Sequence, residues 1–285
     1  MAGIEAFFDQ ATSTVSYLLW DQPTRKAAII DAVLDFDSAT GRLGSGSADA
    51  VLARARELDL AVEWALETHA HADHLSAADY IRRKTGAKIG IGARITDVQT
   101  RFRALFGAAE AETEAAVFDR LLEDGEEVEL GQTRIRVMHT PGHTPACVTY
   151  VADDAAFVGD TLFMPDYGTA RADFPGGDAA TLYRSIRRIL SLPEATRIFV
   201  GHDYLPAGRD KPAWETTVRD ERKNNVHIRD GVSEEEFVAM RKARDKTLAA
   251  PKLILPSLQV NIRGGALPKA EEDGRVYLKT PVNAI

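Results

Sequence analysis

The residues Thr68-His69-Ala70-His71-Ala72-Asp73-His74 place three imidazoles and a carboxylate within six positions. Imidazole nitrogen and carboxylate oxygen are the donors that borderline and hard divalent metals take. In an extended or irregular loop His69 and His71 point toward one side, and Asp73 and His74, one turn further on, serve an adjacent position. One loop is then able to supply two neighbouring metal sites. The plain alternative is a solvated histidine-rich loop or a helix start. Three later clusters weigh against it. In His139-Thr-Pro-Gly-His143-Thr-Pro145 the Pro141-Gly142 pair forces a turn that throws His143 away from the strand before it. His143 is therefore the ligand candidate, while His139 is assigned to the strand end as a structural group. Gly159-Asp160-Thr161 puts a carboxylate at another strand end, able to bridge two metals or complete one site, where a turn aspartate is the alternative. Gly201-His202-Asp203-Tyr204 places one more histidine just past an apolar strand.

The elements that must position these side chains follow from periodicity. Thr14 to Trp20 and Lys26 to Leu34 read as two strands joined by a turn, and Gly41 to Ser47 as a mobile loop. Ser47 is placed to cap a helix whose apolar positions Val51, Leu52, Ala55 and Leu58 recur at helical spacing. The buried strand Ala61 to Thr68 then delivers the chain to His69. A helix from about Ser76 to Thr85 and a strand Ala87 to Ile91 give the strand–helix–strand rhythm of an α/β fold. Arg101 to Leu122 has helical composition, and Glu127 to Met138 alternates like a strand around a Gly131 turn. The plan repeats with a hairpin from Cys147 to Val158, a helix Thr181 to Leu190 and a strand Arg197 to Val200. Every polar cluster falls where a strand ends, the usual place for an α/β site. The tail from about Ala213 is more charged, with a capping box at Ser233-Glu-Glu-Glu236 and Pro251 as a stop. One domain over 1–285, with a C-terminal extension from about 213, is the expected organisation.

Length and charge narrow the function classes. At 285 residues, with 45% hydrophobic and 27% charged side chains, the chain has the composition of a folded globular protein. Its net charge of −8 disfavours nucleic acid as a partner. Met1 to Asp9 lacks a basic start and an apolar run, and Asp31 and Asp35 interrupt the apolar stretch Ala27 to Phe36. Neither export nor a membrane span is expected, and the location expected is cytoplasmic. The single cysteine, Cys147, excludes an intramolecular disulfide and is expected to be packed as a small hydrophobe.

In order and spacing the four clusters resemble the metallo-β-lactamase superfamily: His-x-His-x-Asp-His, then a histidine, an aspartate and a histidine. The resemblance implies an α/β fold, a four-layer αββα sandwich of two similar halves, with metal at the open edge between the sheets. Dinuclear members use one set matching His69, His71 and His143 and another matching Asp73, His74 and His202, bridged by the match to Asp160. Longer stretches, Glu67 to His74, His139 to Thr149, Arg171-Ala-Asp-Phe174, Leu182-Tyr183, His202-Asp-Tyr204, Glu235-Glu-Phe237 and Asn261-Ile-Arg-Gly264, resemble the persulfide dioxygenase family over most of the chain. The segment Met164 to Ala170 is longer than in the mitochondrial branch and resembles a bacterial one.

That resemblance implies one Fe(II) per chain on His69, His143 and Asp160, a two-histidine, one-carboxylate set with open positions for substrate and oxygen. The substrates implied are glutathione persulfide and O2, the products sulfite and glutathione, and His71, Asp73, His74 and His202 then stand behind the ligands or at a vacant second site. Tyr204 matches a tyrosine near the metal. Arg171 either pairs with Asp173 to brace the metal-bearing loop or holds a glutathione carboxylate, and the first is favoured because its partner is adjacent. Arg219, Arg222 and Arg263 are weaker candidates for those carboxylates. A homodimer and a separate rhodanese partner are compatible with the family. Two rivals use the same residues: a glutathione thioester hydrolase resembling glyoxalase II, with two Zn(II) per chain, and a metal- or sulfide-binding module without turnover.

Overall fold

A computed structural model describes residues 1–108 and 115–283. The first half runs β1 (Gly3–Asp9), β2 (Thr14–Trp20), β3 (Lys26–Ile30), β4 (Val33–Asp37), β5 (Arg42–Gly44), α1 (Gly46–Glu57), β6 (Ala61–Glu67), β7 (Leu75–Ser76), α2 (Ala78–Thr85), β8 (Lys88–Gly92) and α3 (Ile95–Phe106). The second half runs β9 (Arg120–Leu122), β10 (Glu127–Leu130), β11 (Thr133–His139), β12 (Val148–Ala152), β13 (Ala155–Gly159), α4 (Ala179–Ile189), β14 (Arg197–Val200) and β15 (Glu215–Thr217). The helices α5 (Val218–Asn224), α6 (Glu234–Asp245) and α7 (Ile254–Asn261) follow.

Two six-stranded sheets, β1-β2-β3-β6-β8-β9 and β10-β11-β12-β13-β14-β15, carry the fold, and a small sheet β5-β4-β7 flanks them. In the first, β1, β2 and β3 are antiparallel and β3, β6, β8 and β9 are parallel. In the second only the β13–β14 pair is parallel. Side chains alternate across each strand with period two, so the two faces of one strand join different cores. Val15, Tyr17 and Leu19 of β2 meet Val137, Tyr150 and Phe157 between the sheets, whereas Leu18 faces the other way, into the cluster beneath α1, α2 and α3. Ala156, Val158, Ile198 and Val200 turn outward under Leu182, Ile186 and Phe237 of α4 and α6. Helix, sheet, sheet, helix is the resulting layer order, the four-layer αββα sandwich expected from the sequence.

Several local expectations need correction. Residues 26–34 do not make one strand: β3 ends at Ile30, Asp31 takes a positive φ of 51°, and β4 pairs with β5 and β7 instead. The Gly41–Ser47 loop contains β5, because Leu43 pairs with Phe36. The residue flanking α1 is Ser45, with no side-chain cap, and Ser47 lies in the first turn with its hydroxyl on Asp9. The helix expected over Arg101–Leu122 stops at Phe106, where Gly107 adopts the left-handed conformation that ends a helix. Arg120–Leu122 is instead a parallel strand beside β8, and 109–114 lie outside the described residues. The edge strand β1, absent from the sequence-based expectation, pairs residue for residue with β2. In the tail, the Ser233 capping box is formed with Glu236.

Candidate metal centre

All four histidine and aspartate clusters arrive at the ends of strands of the two main sheets, on one side of the sandwich. β6 leads into residues 68–74, β11 and the Pro141-Gly142 turn into His143, β13 into Asp160, and β14 into His202. Gly142 has φ 134° and lies against the backbone of Leu182, so a Cβ would collide with α4. Only glycine lets that turn seat His143 there. Gly159, at φ 51°, is packed on the Thr68 side chain in the same way.

The seven side chains fall into two compact groups. Ligand atoms of His69, His143 and Asp160 lie within 4.8 Å of one another, as do those of His71, Asp73, His74 and His202. Asp160 joins the groups, with Oδ2 at 3.8 Å from His69 Nε2 and 3.7 Å from His143 Nε2, and Oδ1 at 3.3 Å from His202 Nε2. The His71 ring stands between the groups, 4.1 Å from that of His69 and 4.2 Å from that of His74. His71 Nε2 is held outward between Asp31 Oδ1 at 3.1 Å and Glu67 Oε2 at 3.2 Å, which leaves Nδ1 as its inward atom.

Each imidazole has one nitrogen engaged by a neighbouring group. His143 Nδ1 donates to the Arg171 carbonyl at 2.8 Å, and His202 Nδ1 to the Ser13 carbonyl at 3.2 Å. His74 Nδ1 lies 3.1 Å from Asp73 Oδ2 and 3.3 Å from Thr14 Oγ1. The Thr68 hydroxyl donates to Asp31 Oδ2 at 2.7 Å, so it accepts from His69 Nδ1 at 3.0 Å. The inward atoms, His69 Nε2, His71 Nδ1, His74 Nε2, His202 Nε2 and Asp160 Oδ1, are buried and make no hydrogen bond. An orphaned buried polar atom costs about 1–3 kcal/mol. Five of them converging, four being ring nitrogens whose opposite nitrogen is fixed by a neighbour, fit a metal cluster and its outer shell. Burial, reinforced by His71 and His143, pushes the His69 imidazole well below its ordinary value, leaving it neutral with a lone pair to offer. For His71 burial pulls the same way, but Asp31 and Glu67 outweigh it and hold the ring well above the usual range.

Sequence reasoning missed Asp31. It is 2% exposed, its positive φ aims the carboxylate back under the loop, and it accepts from Thr68 N at 2.7 Å as well as serving His71. The available signal was an acid interrupting an apolar strand, a position that pays only when the charge is paired.

Around the cluster, Arg171 grips Asp173 with Nε at 2.5 Å and Nη2 at 2.8 Å, and Nη1 donates to the Ala249 carbonyl at 2.7 Å. The same residue's carbonyl orients His143, so this geometry is that of a loop brace. The Tyr204 ring stacks on His202 at 5.4 Å with 18° between planes, beside Phe163 and Tyr167. His139 Nε2 bonds the Pro145 carbonyl at 2.9 Å, a local structural contact. Arg219 and Arg222, on α5, pair with Glu194 and Asp230 rather than with the cluster. Arg263 is buried beyond α7, with Nη1 on the Gln259 carbonyl at 2.5 Å. Cys147 is buried, receives the Thr144 amide at 3.3 Å, and burial pushes its thiol up to about 12. No helix among the described residues is long and apolar enough to cross a membrane.

A probable metallo-hydrolase of Burkholderia pseudomallei is 56% identical, over 99% of both chains. "Glyoxylase B2" of Dictyostelium discoideum is 45% identical over 99% of this chain and 97% of its own length. The mitochondrial "Persulfide dioxygenase ETHE1" of Bos taurus is 32% identical over 92% of this chain and 88% of its own. Beta-lactamase hydrolase-like proteins of Xylella fastidiosa, 52% identical, are longer, and the chain spans 65% of their length. Among solved structures, ETHE1 from Myxococcus xanthus superposes with a TM-score of 0.74 at 30% identity, covering 93% of this chain and 100% of that one. The metallo-beta-lactamase superfamily model matches residues 10–202, a span that starts before β2 and ends on the last histidine of the cluster. A family match that contains every one of the converging ligand atoms, together with relatives aligned end to end, assigns the lineage: the chain belongs to the metallo-beta-lactamase superfamily.

Proposed function

We propose that the protein is an iron-dependent sulfur dioxygenase that oxidises glutathione persulfide with O2 to sulfite and glutathione. The observation that carries this reading is the trio His69, His143 and Asp160, two histidines and one carboxylate whose ligand atoms lie within 4.8 Å of one another. A non-haem iron in such a set supplies open positions for O2 and for a soft sulfur anion. Every other part of the work falls to the chain. Thr68 and the Arg171 carbonyl hold the Nδ1 protons of His69 and His143, so both Nε2 lone pairs face inward. Arg171 and Asp173 keep the carbonyl in place, and Tyr204, 42% exposed on top of His202, walls the approach. Cys147 takes no part, since its thiol is buried and stays protonated, and the reacting sulfur has to come from the substrate. The 30%-identical ETHE1 structure and the bovine persulfide dioxygenase support this reading.

A second reading rests on its own observation. Asp160 directs one oxygen at each group, the arrangement of a bridging carboxylate, and relatives named as a metallo-hydrolase and a glyoxylase support a dinuclear zinc hydrolase of a glutathione thioester. Two zinc ions held by these seven side chains would supply an activated water as the nucleophile for a thioester carbonyl. Metal analysis of protein purified without added metal separates the two. About one iron and little zinc, with no hydrolysis of glutathione thioesters, is the expected result, and two zinc ions with fast hydrolysis would overturn it.

A further inference from the structure

Residues 69–74 lie in neither helix nor strand, so the loop that bears four of the seven metal-cluster side chains depends on other parts of the chain for its shape. One of those parts is far away in sequence. Asn261, the last residue of α7, is 4% exposed. Its Nδ2 donates to the His71 carbonyl at 2.8 Å and to the His74 carbonyl at 2.9 Å, across separations of 190 and 187 residues. Its Oδ1 accepts from the Ser76 amide at 2.8 Å. A side-chain amide has two N–H donors and one carbonyl oxygen, and here all three groups are given to the loop and its exit. The turn after α7 is pressed on the same place. A Cβ at Gly265, where φ is 86°, would stand 2.9 Å from the Ser76 carbonyl and 3.0 Å from the Asp79 amide. The approach is close enough that α7 has little freedom to drift from the loop.

We propose that Asn261 is a positioning residue of the metal centre. By fixing the carbonyls of His71 and His74 it fixes the backbone from which both rings project, and so sets how their inward nitrogens converge. The tail is thereby part of the metal site. The inference rests on the metal-binding reading of the cluster and is indifferent to whether the reaction is oxygenation or hydrolysis. It also supplies a purpose for the C-terminal segment that ligand residues alone do not.

Its test is affinity for the ion rather than turnover. Zn(II), and Fe(II) under anaerobic conditions, are titrated into the metal-free full-length chain against a competing chelator, and amide exchange is followed over residues 69–76. Outer-shell partners of metal ligands contribute about 10–100-fold in affinity. Asn261→Ala is expected to weaken both ions by about that factor and to speed exchange in the loop. Asn261→Ser, a milder change whose single hydroxyl donor cannot serve two carbonyls, is expected to do the same if the alanine variant folds poorly. Gln259→Ala is the control on the same helix. Gln259 ties α7 to Lys279 through Nε2 and Oε1 at 2.8 and 2.7 Å and bonds nothing in the loop, so its removal should leave affinity unchanged. Wild-type affinity in both Asn261 variants would overturn the inference, as would an equal loss in Gln259→Ala, which would mean that general loosening of the tail is responsible. Failure of the wild-type chain itself to bind either ion would instead strike at the metal-centre reading.

Discussion

At the scale of single residues, the distinction that matters is between groups that face the cluster and groups that face its neighbours. His69 and Asp160 face it, with His69 Nε2 and Asp160 Oδ1 buried and without a hydrogen bond. His69→Ala and Asp160→Ala are each expected to remove bound iron and abolish O2 uptake while the circular dichroism spectrum is retained. Iron content near wild type in either variant would remove that residue from the proposed ligand set. Cys147 faces its neighbours. Thiolate is the reactive form of cysteine, and a thiol pushed up to about 12 offers almost none at neutral pH. Native protein should therefore resist iodoacetamide at pH about 8, where an ordinary thiol is largely reactive, and Cys147→Ser should keep most of its activity. Rapid alkylation with loss of turnover would contradict the packing role. The motif histidines were legible in the sequence because their density and spacing are themselves the signal. Asp31 and Asn261 were not, because a lone acid or amide declares its role only through partners 37 to 190 residues away.

At the scale of elements, strands that alternate or run apolar, such as β2, β6, β13 and β14, were legible, since period and burial agree there. Elements fixed by pairing rather than by their own pattern were not. β5 and β9 are three residues each and exist because β4 and β8 offer them a ladder. Junctions between elements likewise rest on buried polar groups. Asp21, at the β2–β3 turn, accepts from Thr24 and from Thr133 Oγ1 at 2.9 Å, tying one sheet to the β10–β11 turn of the other. Burial alone would raise its carboxyl, but hydrogen bonds from Thr24, Gln132 and Thr133 outweigh it and hold the group below the ordinary value. The folded value lies below the unfolded one of about 3.9, so the tie contributes fully above that pH and is lost as pH falls through the folded value. Urea midpoints should thus drop below pH about 4, and the drop should shrink in Asp21→Asn. An identical acid profile in that variant would show that the junction does not depend on the charge.

At the scale of the whole molecule, two sheets and two helical layers converge on one cluster of five histidine rings and two aspartates whose inward atoms a cation would satisfy. An ion that binds only the folded state at a hundred times its Kd adds about 2.7 kcal/mol to stability. Chelation should accordingly lower the melting temperature and added Fe(II) restore it, and a melting temperature indifferent to metal would argue that the cluster is not occupied. The α/β rhythm and the clusters at strand ends were legible in the residues, while the layer order and the lineage came from the resemblance that the motif order carries. The choice between oxygenation and hydrolysis was not legible, since the three ligands of the iron reading are contained in the seven of the hydrolase reading and all seven are present. Oxygen consumption by the anaerobically iron-loaded protein on adding glutathione persulfide tests that choice most directly. Uptake of O2 matched by sulfite, and absent in Asp160→Ala, is the result predicted, whereas no uptake from fully iron-loaded wild-type protein would contradict the proposed activity.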